Sequence, residues 1–197
     1  MTDDEAPRRY PKGEAKRREI LDTALTLIGD QGYRASTLQE IADAVGLTKA
    51  GVLHYFDSRE ALLTAILSER DEIERAHFDG ATGDSLDLLS EAVTHNSTTP
   101  GLVALYSRLV ADSVDPEHPA HDYITERYRT IIETMSDAAR TRQAAGTLTA
   151  EIDPVIFGRI VAAISDGLQM QWSYDKTIDM REAFDAAMSI FEVRQDD

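Results

Sequence analysis

The stretch Thr37 to Phe56, TLQEIADAVGLTKAGVLHYF, constrains this chain more than any other. Thr37 with Glu40 three residues on is a capping-box start for a helix. Ile41 and Val45 lie four apart on one face, and Ala42 is small where a second helix must cross closely. Gly46 can take a left-handed backbone and stop that helix. Leu47 points back into the core, and Thr48 caps a second helix. There Val52 and Phe56 face inward, which leaves Lys49, Gly51, His54 and Tyr55 for other directions. Helix, glycine turn and helix at this spacing match the helix-turn-helix, whose second helix enters the DNA major groove. An ordinary helical hairpin has the same pattern, so the flanks must decide.

Asp57-Ser58-Arg59-Glu60 restarts a helix at once, with Asp57 as the expected cap and Glu60 at the third helical position. Before the motif, Glu14 to Gln31 reads as one amphipathic helix ending at Gly32. In this setting GYRASTLQEIADAVGLTKAGVLHYFDSREALL resembles the DNA-binding head of the TetR/AcrR family of one-component transcriptional regulators. The resemblance runs from about Glu14 to Leu67 and rests on Gly32-Tyr33, Ile41-Ala42, the Val45-Gly46-Leu47 turn, Tyr55-Phe56 and the acidic-basic start of the fourth helix. His54 stands where the family most often has Tyr, and Arg59 where it most often has Lys. Both keep a hydrogen-bonding or cationic group, so the departures bear on which operator is read. The resemblance implies a homodimer that usually represses.

The candidate DNA-contacting residues are Thr37, Thr48, Lys49, Ala50, Gly51, His54, Tyr55 and Arg59. Lys49, in the first turn of the second helix, reaches a phosphate or a guanine edge. Gly51 lets that helix lie close to base pairs, since a helical glycine costs roughly 1 kcal/mol against alanine and wants a reason. By resemblance Tyr55 contacts phosphate and His54 lies near base edges; core packing and simple exposure are the plainer roles for these two. Arg59 is placed for phosphate.

A formal charge of −16 looks wrong for a DNA binder. Position resolves part of this: residues 7–59 hold nine Lys or Arg against seven Asp or Glu, and residues 61–197 eleven against twenty-five. Acid behind the DNA face repels phosphate only weakly beyond a Debye length of about 8 Å. Arg8, Arg9, Lys12, Lys16, Arg17 and Arg18 form a basic run that is either a solvated tail or a backbone-contacting arm.

The rest reads as an all-α chain of about nine helices: an arm over 1–13, a helix-turn-helix head over 14–60 with its motif at 37–56, and a helical ligand-binding and dimerisation body over 61–197. Leu21, Ala24, Leu25 and Ile28 should pack on Leu38, Ile41 and Val52. A fourth helix from Asp57 to about His77 turns Leu62, Leu63, Ile66 and Ile73 inward, and Gly80 and Gly83 break the chain. Thr99-Pro100 and Asp153-Pro154 open later helices, each with a capping side chain before a first-turn proline.

Ile66, Leu105, Tyr106, Leu109, Tyr123, Tyr128, Ile131, Met135, Ile164 and Leu168 converge on one interior. They either fill a core or line a pocket, and as a pocket they carry no charge and suit a small, largely apolar effector. Phe157, Ile164, Leu168, Trp172, Phe184, Ala187 and Phe191, on the last two helices, are candidates for a dimer interface or for the protomer core. Two-fold pairing fits a palindromic operator.

His118, His121 and Asp122 lie close together, but no second cluster completes a metal set, and neither a metal nor a cofactor is expected. Asp166 is either a tuned acid or a hydrogen-bonded helix residue. Nucleophile-elbow, P-loop and zinc-protease spacings are absent, so an enzyme is not expected. A small-molecule binder or protein-interaction module without DNA binding is the alternative reading. With no cysteine, no apolar run of eighteen and no apolar leader at the start, the cytoplasm is the expected compartment.

Overall fold

The structure is a computed structural model that describes residues 11–32, 37–78 and 84–193. Among them the helices are α1 Pro11–Gln31, α2 Leu38–Ala44, α3 Lys49–Leu53, α4 Arg59–Phe78, α5 Ser85–Asn96, α6 Pro100–Asp112, α7 His121–Ala144, α8 Pro154–Tyr174 and α9 Met180–Met188. A 3-10 turn, Ser189–Phe191, follows, and one isolated antiparallel bridge joins Leu148 to Glu192. The fold is all-α. No helix among the described residues is long and apolar enough to cross a membrane.

Local chemistry sets most boundaries. Thr37 accepts the Glu40 N–H at 3.2 Å while Glu40 accepts the Thr37 N–H at 2.6 Å, a reciprocal capping box. Those bonds hold the Glu40 carboxyl below its ordinary pKa, the Thr37 N–H first among them. The α2–α3 turn is a Schellman motif: Leu47 N–H donates to Ala42 O at 2.8 Å and Gly46 N–H to Asp43 O at 3.2 Å. Gly46 has φ +68°, the backbone this turn demands. Lys16 of α1 donates to Val45 O at 2.6 Å, capping the end of α2 from outside. Asp153 and Asp179 cap α8 and α9 through the N–H groups of Val155, Ile156 and Glu182.

Several starts differ from the sequence reading. α1 begins at Pro11, because a first-turn proline lacks only an N–H that would go unpaired anyway. Residues 11–13 of the expected arm are therefore helical; Arg8, Arg9, Tyr33, Gly80 and Gly83 lie outside the described residues. Ser58, not Asp57, caps α4, accepting the Ala61 N–H at 2.9 Å, because the helix begins one residue later than expected. Thr99 makes no side-chain cap, and Pro100 alone marks the start of α6. Ile73 is 50% exposed: past Leu67 the inward side of α4 carries Arg70, which is buried, and Asp71 in place of apolar groups.

The core has two parts. One contains Leu21, Ile28, Ile41, Val52 and Phe56 of the head and continues through Leu62, Leu63, Ile66 and Leu67 of α4 to Leu102, Leu105, Tyr106 and Leu109 of α6. The other joins α5, the second half of α7, α8 and α9 around Val93, Met135, Phe157, Val161, Trp172 and Phe184. The head thus shares its apolar core with α4 and α6. At that seam α1 meets the first turn of α6 so closely that a Cβ on Gly101 would lie 1.7 Å from Ile28 O.

Two substitutions test these points by urea unfolding. Gly46→Ala forces an alanine into the left-handed region and should cost about 1–2 kcal/mol. Gly101→Ala must separate α1 from α6 and should cost about 1–3 kcal/mol. Parent-like stability in either variant contradicts the geometry described.

Candidate functional site

Val52 and Phe56 are buried and fix α3 to the core, so the rest of that helix is turned outward. Thr37, Thr48, Lys49, Ala50 and His54 are exposed, and Gly51, Tyr55 and Arg59 are half-buried. The candidate DNA-contacting residues therefore all retain accessible surface on the head. Thr48 Oγ accepts the Gly51 N–H at 3.0 Å, which leaves its hydroxyl proton for an outside acceptor. The His54 ring lies edge-on to Tyr55, with centroids 5.7 Å apart. Tyr55 rests partly on the head core, so it combines both roles weighed from the sequence.

The atoms nearest to a Cβ on Gly51 would be Leu47 and Thr48 side-chain atoms at 3.4–3.7 Å, within ordinary contact. The fold itself does not require glycine there. The basic run divides. Lys16 holds Val45 O and Glu19, and the Arg17 guanidinium lies 4.8 Å from the Phe56 ring centroid, so both have intramolecular work. Lys12 and Arg18 are exposed.

The body holds a half-buried polar chain across four helices. Asp71 of α4 accepts the Tyr123 hydroxyl at 2.6 Å and pairs with Arg127, both of α7. The Arg127 guanidinium lies 5.0 Å from the Tyr106 ring centroid of α6. Asp166 of α8 accepts from Tyr106 at 3.1 Å and from Tyr128 of α7. Asp166 is thus a hydrogen-bonded helix residue. Burial, and then the Asp166 charge, push the Tyr106 pKa up to about 12. Burial also raises Tyr123 and Tyr128, so all three stay protonated donors near neutral pH. Nearby, buried Arg70 bonds Glu74 and the Asn96 side chain, tying α4 to the end of α5.

Between α4, α5 and α7 lies a groove of about 980 Å³. Of the ten expected lining residues, Tyr123, Ile131 and Met135 face it. Ile66, Leu105, Tyr106 and Leu109 instead belong to the core shared with the head, and Ile164 and Leu168 to the second core. Tyr128 lines a different hollow between α7 and α8. Asp71, Glu72, Glu74, Arg75, Glu126 and Arg127 also border this groove, so it carries charge that the lining expected from the sequence lacks. No local pattern announces these residues, since the Asp71–Arg127 pair spans 56 positions.

Four of the seven expected interface residues lie inside the protomer. Phe157, Leu168, Trp172 and Phe184 are buried within the single chain and have almost no surface left for a partner. Phe191 is half-buried edge-on to Phe157, with centroids 5.5 Å apart. Ile164 and Ala187 are half-buried and pack against the second core. His118 and His121 bond the Ala120 N–H and Ser113 O, and no metal-holding cluster occurs among the described residues.

Comparison with known proteins follows the same division. The family profile described as bacterial regulatory proteins, tetR family, matches residues 20–66. The HTH-type transcriptional repressor KstR2 of Rhodococcus jostii (strain RHA1) is 27% identical, with the match covering 86% of this chain and 72% of that one. The A-factor receptor protein of Streptomyces griseus is also 27% identical, over 78% of this chain and only 53% of its own length. Among solved structures, a regulator from Saccharomonospora viridis in complex with choline has a TM-score of 0.73 at 23% identity, covering 92% of this chain and 100% of that one. The reduced form of NemR from E. coli has a TM-score of 0.70 at 20% identity, covering 92% and 98%. At these identities the structural likeness establishes the fold.

The polar chain carries its own test. Tyr106→Phe and Tyr128→Phe each remove a donor from a carboxylate and should lower stability by about 1–2 kcal/mol, less than a fully buried charged bond because Asp166 keeps some solvent. Tyr106 is favoured as the protonated form in the fold, so its contribution is present below its unfolded pKa of about 10 and is lost as pH climbs toward 12. The parent should therefore lose stability more steeply than Tyr106→Phe across that window in chemical unfolding. Parallel curves would contradict the assignment.

Proposed function

We propose, from the premise that this chain belongs to the TetR family of bacterial regulatory proteins, that it is a dimeric DNA-binding repressor released from a palindromic operator by a small molecule. The observation that carries the DNA half is the outward side of α3, where Lys49, Ala50 and His54 are exposed while Val52 and Phe56 hold the helix from behind. Gly51 adds support, because the protein interior leaves room for a Cβ there and a closely approaching duplex would not. Lys49, Tyr55 and Arg59 serve as phosphate contacts and set register; His54 is placed to discriminate between bases.

One head covers too little DNA for specific binding, so two are needed. The outward side of α8 supplies a seam. Ile156, Ile160, Ala163, Gly167, Met170 and Tyr174 recur at alternating spacings of four and three, the interval of a packed helix pair. Ile156 is 50%, Met170 44% and Tyr174 87% exposed in the single chain. We assign the dimer contact to this stripe of α8. The groove between α4, α5 and α7 is the effector site of this reading, and α4 connects it to the head. A relative that is a repressor and a structural neighbour that holds choline support release by a ligand. Coupling of this kind is reciprocal and typically amounts to about 1–3 kcal/mol.

Gly51→Ala separates folding from recognition. It should leave stability unchanged or raise it by up to about 1 kcal/mol, yet weaken binding to an operator selected from random DNA. Lys49→Ala should lower the salt slope by about one unit, the signature of one lost phosphate contact. His54→Ala should change operator preference more than salt slope. Met170→Lys should convert the dimer to a folded monomer by light scattering. Parent-like operator binding by Gly51→Ala and Lys49→Ala would remove α3 as the reader.

A further inference from the structure

The reading helix cannot set its own direction. α3 is five residues long and buries one side chain, Val52. A helix that short has no stability of its own in water. Its tilt therefore depends on what holds the chain at its two ends. Before it, α2 stops at Val45, whose carbonyl is among those a helix end leaves without an intrahelical partner. Lys16 of α1 supplies the missing donor: its Nζ reaches Val45 O at 2.6 Å, across 29 positions of sequence. Glu19, one turn on in α1, pairs with the same ammonium at 2.8 Å and fixes the side chain from its own helix. The partial negative charge at the end of α2 favours a cation there as well. Just past α3, the guanidinium of the neighbouring Arg17 lies 4.8 Å from the Phe56 ring centroid. Consecutive residues of α1 thus touch the chain on either side of α3.

The Lys16 side chain is 25% exposed, and two of its three N–H donors are engaged inside the protein. That is the arrangement of an internal strut, not of a cation presented to phosphate. We propose that Lys16 is a positioning residue for operator reading, one that sets the angle of α3 through Val45 O without touching DNA. The assignment rests on α3's being the operator reader. It divides the basic run of α1: exposed Lys12 and Arg18 stay available to phosphate, while Lys16 governs which base edges Lys49 and His54 meet.

The test uses the full chain carrying Lys16→Met, which keeps an apolar stem and removes the donor. Should that variant fail to fold, Lys16→Ala, a stronger helix former, takes its place in every measurement. An operator selected by the parent from random DNA, and its single-base variants, supply a discrimination ratio. Lys16→Met should lower that ratio at least about threefold, part of what one good base contact carries. The salt slope of operator binding should stay at the parent's value, because no phosphate contact is lost. A parent-like ratio overturns the assignment. A slope lower by about one unit also overturns it, whatever the ratio, since Lys16 is then a phosphate contact.

Amide exchange without DNA keeps this assignment apart from the reading it rests on. The Leu47 N–H bonds Ala42 O at 2.8 Å inside the turn that Lys16 holds. Its exchange should quicken at least about threefold in Lys16→Met, measured against the Ile66 amide of α4. Quickened exchange, with a parent that selects no operator, upholds the grip of Lys16 on the turn and sinks operator reading by α3. Parent-like exchange at Leu47 overturns the grip itself.

Discussion

The pairing of Asp71 with Arg127 ties α4 to α7, on the far side of the helix's length from the apolar core it shares with the head. Half-buried charge pairs add little net stability, because desolvation offsets much of the attraction. They do specify geometry: Asp71 has one partner constellation, Tyr123 and Arg127, and a sliding α4 would leave a carboxylate poorly solvated and unpaired. Arg70, one residue earlier, ties the same turn of α4 to Asn96. The other end of α4 is apolar and belongs to the head core through Leu62, Leu63 and Ile66. One helix is therefore held by directional polar contacts at the groove and by close packing at the DNA-reading end.

The head is a product of local chemistry at close range. The capping box at Thr37, the left-handed Gly46 and the Lys16 contact to Val45 O fix where α2 ends and at what angle α3 leaves. Val52 and Phe56 then determine which side of α3 is left outward. The close crossing of Gly101 against Ile28 O seats α1 on α6, so the head is joined to the body at two places, α4 and α1. The strong negative charge of the body is compatible with DNA binding because it lies mainly beyond residue 60, while the recognition face depends on a few cations.

What was legible in the sequence follows the range of the interactions. Thr37 with Glu40, Gly46 and Asp153 act on residues within five positions of themselves, and each formed the contact its spacing implies. Ser58 was missed because two good caps stand side by side and only the helix register chooses between them. The groove and the protomer surface were less readable for a different reason. Helical periodicity shows that Phe157, Leu168 and Phe184 are buried, but not whether their own chain or a second copy buries them. The exposed 4-3 stripe on α8 lies a fraction of a turn away from those residues and is just as apolar in sequence. Asp71 and Arg127 carry no local signature, and although Asp166 stands out in an apolar helix, its partners lie 38 and 60 positions away.

The central claim is that occupancy of the groove moves the two heads through α4. The chain contains no cysteine, so Asp22→Cys on the exposed side of α1 gives one labelling site per protomer. The distance between the two spin labels can be measured by pulsed dipolar spectroscopy on operator DNA, free, and with a groove ligand. The account predicts a narrow distribution on DNA and a distinct mean, shifted by several ångströms, when ligand releases the operator. Identical distributions in the ligand-bound and DNA-bound states would contradict it.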